Sequence, residues 1–387
     1  KPLPIAGTGL IWSPDDSRLC AFNSVNVQLW DTKTEKALPP IDATGPASRA
    51  MWTTGKIMAS GVGTQAVSLW EIASGKLLRK LEGHTAGIMA IAWAANDKTL
   101  ATASADKTVR VWDTVKGEQL KKLEGHTDVV SALSWNPNSK QLASGSYDKT
   151  VRLWDIATGK STKTLDKHPA AVTVMDWNGK MLLAGGPTNL VNVWNTATGQ
   201  QVRKVEISGA AQSPAWSPDG KVLAGGGVDE ALRIFNPANG QVLASLALAG
   251  SPPSVTALAW STKGETIASG RGNHTAQIWN LQTSKTIHSV QTMAPVQEVM
   301  WSESNRTLAV GTSDRCVRFF DTATGKIRTT MITDADQVPA VSAEGHYRAV
   351  PDTDPELVYV VQTEKTQETY TPAEFAKKFR WKNAPKE

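Results

Sequence analysis

Residues 83–113 read GHTAGIMAIAWAANDKTLATASADKTVRVWD, and residues 125–155 read GHTDVVSALSWNPNSKQLASGSYDKTVRLWD. The two are one unit written twice. Each opens on Gly-His-Thr (Gly83, His84, Thr85; Gly125, His126, Thr127) and passes an apolar run ending in Trp93 or Trp135. Each then crosses a small-residue run to Asp106 or Asp148 and closes on Trp112-Asp113 or Trp154-Asp155. Trp112 and Trp154 lie 42 residues apart. Alternation within Val-Arg-Leu-Trp marks a strand, and no helical period separates one such run from the next.

The spacing extends over most of the chain. One aromatic ladder is Trp12, Trp52, Trp93, Trp135, Trp177, Trp216, Trp260 and Trp301; a second is Trp30, Trp70, Trp112, Trp154, Trp194, Phe235, Trp279 and Phe320. Steps run from 39 to 44 residues, and of the 15 tryptophans only Trp381 falls off the grid. Between ladder positions come Pro/Asp/Gly turns such as Ser217-Pro218-Asp219-Gly220, and a loop such as Asp155 to Lys160 whose glycine supplies a left-handed residue. Four strands per unit, eight times, is a propeller blade count.

A Gly-His … Trp-Asp unit at this period resembles the WD-repeat (WD40) β-propeller family. The resemblance implies an all-β fold, a WD40-type propeller. We expect a single ring of eight clear blades over residues 1–332, with a degenerate ninth over 333–372 and a short helix and tail over 373–387. The ninth unit rests on Val341 to Tyr347, which matches the hairpin Trp216 to Val222, and on the apolar run Leu357 to Thr363. An eight-bladed ring with 333–387 as a cap is the alternative. Thr371-Pro372-Ala373-Glu374 reads as a capping box that starts the helix. Glu344 to Phe379 also looks like the closing segment of large bacterial WD-repeat chains. The strand that should precede the first unit is absent, so we expect either closure without it or a longer parent chain with an upstream domain.

The family's buried tetrad maps onto His84, Thr102, Asp106 and Trp112, and onto His126, Ser144, Asp148 and Trp154. Indole gives to hydroxyl, hydroxyl to imidazole, and imidazole to carboxylate. Read as a catalytic triad, the set fails, because the tryptophan occupies the hydroxyl and the set repeats in adjacent units. No glycine elbow surrounds Ser144. Six dispersed histidines and two distant cysteines, Cys20 and Cys316, show no ligand spacing, so neither metal nor cofactor is expected. Gly225-Gly226-Gly227 reads as close sheet packing, since no helix and lysine follow. No apolar run spans a membrane, and a net charge of +5 from 41 basic and 36 acidic residues is too diffuse to imply nucleic acid.

Residues flanking the tight-turn Asp lie on one rim. By resemblance that rim holds peptides and proteins, giving Lys107, Tyr147, Lys149, Glu230, His274 and Arg315 as partner-binding candidates. The leading expectation is a non-enzymatic protein–protein interaction scaffold. The alternatives are an accessory module of a larger chain that carries catalysis or electron transfer, and a propeller hydrolase or lyase. Cytoplasmic placement is the default expectation, with an extracytoplasmic one left open.

Overall fold

The computed structural model describes residues 9–13, 15–22, 27–34, 36–38, 51–52, 57–72, 74, 76–166, 168–207, 214–226, 231–247, 255–314 and 316–332. It also describes the short stretches 340–342, 347–348, 359–362, 367–370 and residue 377. Eight antiparallel units of four consecutive strands run over 9–37, 51–82, 88–123, 130–165, 174–206, 215–247, 255–291 and 296–332. The first strands of successive units touch in a closed circuit, the eighth returning to the first. The molecule is an eight-bladed propeller, and each blade is one uninterrupted piece of sequence.

Residue type sets where each strand sits. In the fourth blade Val130–Trp135 is innermost, followed outward by Gln141–Ser146, Val151–Asp155 and Lys160–Leu165. The second strand is buried from Leu142 to Ser146 because neighbouring blades press on both of its faces. Small residues are needed there: a Cβ on Gly145 would lie 2.6 Å from Val172 Cγ1, and one on Gly225 would lie 2.5 Å from Ile207 Cδ1. The third strand buries Val151, Leu153 and Trp154 between blades, whereas Lys160 to Ser161 on the outermost strand face water. In blades two to eight the pairing of third and fourth strands slips by one residue just before the second-ladder aromatic, as between Leu153 and Trp154. This repeated bulge twists the outer strand away from its partner.

The first-ladder tryptophans tie blade to blade. Trp135 Nε1 donates to Ala92 O (2.9 Å), Trp216 to Asp176 O (3.2 Å), Trp260 to Ala215 O (3.2 Å) and Trp301 to Ala259 O (3.0 Å). At the joint between ends, Trp12 Nε1 reaches Met300 O at 3.4 Å and Leu10 N donates to the Glu298 carboxylate at 2.7 Å. Phe319 of the eighth blade sits edge-on to Trp12 and stacked near Trp30, with centroids 6.0 and 6.1 Å away. The ring therefore closes on eight.

Of the ninth blade expected over 333–372, only residues 340–342, 347–348, 359–362 and 367–370 are described. Ala340–Ser342 and Tyr347–Arg348 form the anticipated hairpin, but it adds to the outer edge of the eighth sheet, with Thr330 opposite Val341. Tyr359–Gln362 and Gln367–Tyr370 pair separately. The helix expected over 373–387 falls outside the described residues apart from Lys377.

Candidate functional site

Two polar networks form inside the third and fourth blades. His84 Nδ1 lies 2.7 Å from Asp106 Oδ2 and its Nε2 lies 2.8 Å from Thr102 Oγ1, to which Trp112 Nε1 donates at 2.9 Å. In the fourth blade the corresponding distances are 2.7 Å to Asp148, 2.7 Å to Ser144 and 2.7 Å from Trp154. Thr102 and Ser144 are fully buried, each with its hydroxyl engaged by indole and imidazole. Burial holds both imidazoles below their ordinary pKa against the pull of the carboxylates. Burial pushes Asp106 and Asp148 upward, but hydrogen bonds from Thr108 or Thr150 and from the imidazole outweigh it and bring both to about 2. At neutral pH each contact is thus a neutral imidazole donating to a carboxylate.

The same logic explains the degenerate units. Ten residues before each second-ladder position stands the hydroxyl's slot. Trp70 donates to Ser60 (2.9 Å) and Trp279 to Ser269 (3.0 Å). Phe235 and Phe320, whose side chains have no N–H to place, stand ten residues after Gly225 and Val310, which carry no hydroxyl. In the eighth blade Arg318 replaces histidine, donating to Thr312 and, at 2.7 Å, to Asp314. In the fifth, Asn192 Nδ2 meets His168 Nδ1 at 2.9 Å, with Thr188 at the Asp position. Asn192 and Arg318 escape sequence reading because they come from the third strand, not the turn. The Gly of Gly-His is favoured by its backbone, Gly83 having φ +151°, and a Cβ there would also displace the end of Arg110, 2.6 Å from its Nη1.

The Asp of each network also braces a rim turn. Asp148 Oδ1 accepts from Thr150 N (2.9 Å) and Oγ1 (2.7 Å), while Oδ2 accepts from Thr127 N (3.0 Å). Lys107, Lys149 and His274 occupy left-handed positions with φ 70°, 66° and 67°. Lys107 and Lys149 are exposed and His274 is half-buried. Tyr147 is 44% exposed while its backbone N–H is fixed to Val129 O at 2.9 Å. These four belong to the same turn of their blades. Glu230 and Arg315 lie outside the described residues.

Cys20 is buried with Sγ 3.6 Å from Met58 Sδ, and Cys316 is half-buried; both are unpaired. Among the described residues no group of three or more His, Cys, Asp or Glu could hold a metal ion, and no helix is long and apolar enough to cross a membrane.

A propeller of tryptophan-marked blades, two with a His–hydroxyl–Asp–Trp network, defines the class. Residues 75–113 and 117–155 match the WD domain, G-beta repeat (WD40), and residues 249–303 match the WD40 domain of anaphase-promoting complex subunit 4. These three segments are similar to WD40 repeats, whose propellers serve in general as protein-interaction scaffolds and are typically non-catalytic. It is 30% identical over 94 residues to "WD repeat-containing protein ATCSA-1" of Arabidopsis thaliana, covering 23% of this chain and 21% of that one. Over 125 residues it is 29% identical to "B-type cell cycle switch protein ccs52B" of Medicago truncatula, covering 32% of this chain and 25% of that one. Over 78 residues it is 33% identical to "Meiotic fizzy-related protein 1" of Schizosaccharomyces pombe, covering 19% and 18%. The matches span 18% to 25% of these relatives, which come from plants and a yeast. The crystal structure of the computationally designed Ika8 protein has the same fold, with a TM-score of 0.72 at 24% identity, over 81% of this chain and 96% of that one.

Proposed function

We propose that the protein is a non-enzymatic scaffold that holds partner proteins on the rim carrying Lys107, Tyr147, Lys149 and His274. Glu230 and Arg315 extend the same rim in sequence. The observation that carries this reading is Tyr147: a large aromatic, 44% exposed, on a turn whose backbone is pinned to Val129 and braced by Asp148. A rigid, partly exposed aromatic beside a lysine loses little entropy on contact and is the residue type that anchors interfaces. The buried networks stiffen the turns without meeting the partner.

The test is affinity capture with the wild-type chain and with a Tyr147→Ala/Lys149→Ala variant of unchanged thermal midpoint. Partners held by the wild type should fall at least tenfold with the variant. Equal recovery would remove the rim from the reading.

A further inference from the structure

The hairpin on the eighth blade shows that an outer edge of this propeller can take a fifth strand. Ala340–Ser342 runs antiparallel to Ile327–Ile332, with Thr329 opposite Ser342, Thr330 opposite Val341 and Met331 opposite Ala340. The covered edge carries no charge at those three places. Counted from the pairing of third and fourth strands, the same places hold Arg79 and Lys80 in the second blade, Lys121 and Lys122 in the third, and Lys163 in the fourth. In the fifth they hold Arg203 and Lys204, and in the seventh His288. The first blade's outer strand, Lys36–Ala37, is only two residues long. Short strands and basic side chains both keep a further strand from pairing at an edge.

The sixth blade is the exception. There the three places are Ala244, Ser245 and Leu246, within the outer strand Val242–Ala247. That strand has no charged residue, and residues 231–250 hold a single one, Arg233. Among the described residues no fifth strand lies beside it. Ser245 is exposed where Thr330, under the hairpin, is half-buried, and Val242 and Leu243 are 44% and 51% exposed. The second blade also exposes Leu77 and Leu78, but Arg79 and Lys80 follow them directly. A long, uncharged and uncovered edge is a template for strand addition.

We propose that the outer strand of the sixth blade accepts an extended segment of a partner protein as a fifth strand, antiparallel, in the register by which Ile327–Ile332 holds Ala340–Ser342. The segment is small and uncharged at its centre and acidic just past its C-terminal end. Antiparallel pairing brings that end to the turn before Val242, and an exposed arginine of the fifth blade lies there. Arg203 Nη2 donates to Ala238 O at 3.4 Å, and a Cβ on Gly240 would lie 3.4 Å from Arg203 Cδ, much as one on Gly159 would lie 3.2 Å from Lys121 Cδ. The chain's own added strand has this composition, Ala340-Val341-Ser342 being followed by Ala343-Glu344. Charge argues against a second copy of the chain as occupant. A two-fold axis between antiparallel outer strands turns the fifth blade of each copy toward that of the other, setting Arg203 and Lys204 against their own kind. The site is distinct from the rim and does not depend on it.

The experiment is an NMR titration of the ¹⁵N-labelled full chain with a blocked peptide of residues 337–344. The eighth blade's edge is held in cis, which leaves the free peptide to the sixth. The amide signals of Ala244, Ser245 and Leu246 should shift saturably. Val341→Pro in the peptide removes a ladder donor and should abolish the shifts. Glu344→Lys in the peptide should weaken binding about threefold. Ser245→Lys in the chain, which gives the sixth blade the lysine of the second, third and fifth, should weaken it about tenfold. Shifts elsewhere only, equal binding of either altered peptide, or undiminished binding to folded Ser245→Lys would overturn the proposal. Should that variant not fold, the two altered peptides decide. Signals of 244–246 that move with protein concentration before any peptide is added would give the edge to a second copy and overturn it as well.

Discussion

His168 Nε2 and Trp194 Nε1 are both buried and both without a hydrogen-bond partner, their rings 5.5 Å apart. Ala184 stands where Ser144 stands one blade earlier, so the hydroxyl that would join the two nitrogens is lacking. In the fourth blade the corresponding rings, His126 and Trp154, are 6.3 Å apart. The fifth blade has drawn its rings together and still leaves two polar atoms unsatisfied, a costly arrangement in a dry interior.

Ala184→Ser should therefore stabilise the protein, by about 1 kcal/mol, seen as a higher urea midpoint at unchanged slope. Ser144→Ala should do the reverse by about 2 kcal/mol, since it strands the Trp154 indole and one nitrogen of His126. A lower midpoint for Ala184→Ser would mean the rings have closed too far to admit an oxygen.

Acid should act first on His168. Burial lowers its pKa from 6.5 to about 4, with Asp166 too weak an influence to restore it and Lys204 adding to the fall. A histidine depressed in the folded state contributes stability that is whole above its unfolded pKa and lost as pH falls. The window is pH 6.5 down to about 4, and the full effect is roughly 3 kcal/mol. Denaturation midpoints taken across that window should fall for the wild type and flatten for His168→Gln. His84 and His126 shift the same way, but each keeps a carboxylate at 2.7 Å. A His168→Gln profile parallel to wild type would assign the acid sensitivity elsewhere.

Ser284→Gly should stabilise by roughly 0.5–1 kcal/mol. Ser284 holds a left-handed conformation (φ 54°) at the turn where Gly117, Gly159, Gly199, Gly240 and Gly325 sit in other blades. Its side chain is tolerated because the preceding blade presents Ala244 instead of a long basic residue. Gly159→Ala, under Lys121, should instead destabilise by 1 kcal/mol or more. Thermal melts of the two single variants check both signs.

The ladders made the fold legible because a tryptophan at a fixed period can satisfy its N–H only inside a repeated sheet. His84 to Trp112 and His126 to Trp154 were readable for the same reason, each partner being fixed by spacing within one unit. What crosses between units was not readable. Trp135 gives no sign in sequence that its indole ends on Ala92 O, forty-three residues back. The hairpin at Val341 and Tyr347 has the pattern of an inner hairpin, and only its pairing to Thr329–Met331 puts it on an outer edge. Asn192 looks like an ordinary strand residue until Gln201 and His168 are found on either side of it.

Because every blade is drawn from one run of sequence, assembly has an unusual order built into it. Within and between neighbouring blades, hydrogen bonds such as those of Trp135, Trp260 and Trp301 join residues 42 to 45 apart, so each sheet can form on its predecessor as the chain lengthens. Leu10 to Glu298 and Trp12 to Met300 span 288 residues. Circularisation is thus one late event, whose entropy grows only as the logarithm of loop length. A permuted chain that starts between the fourth and fifth blades would cut no sheet and would merely move that event to another joint.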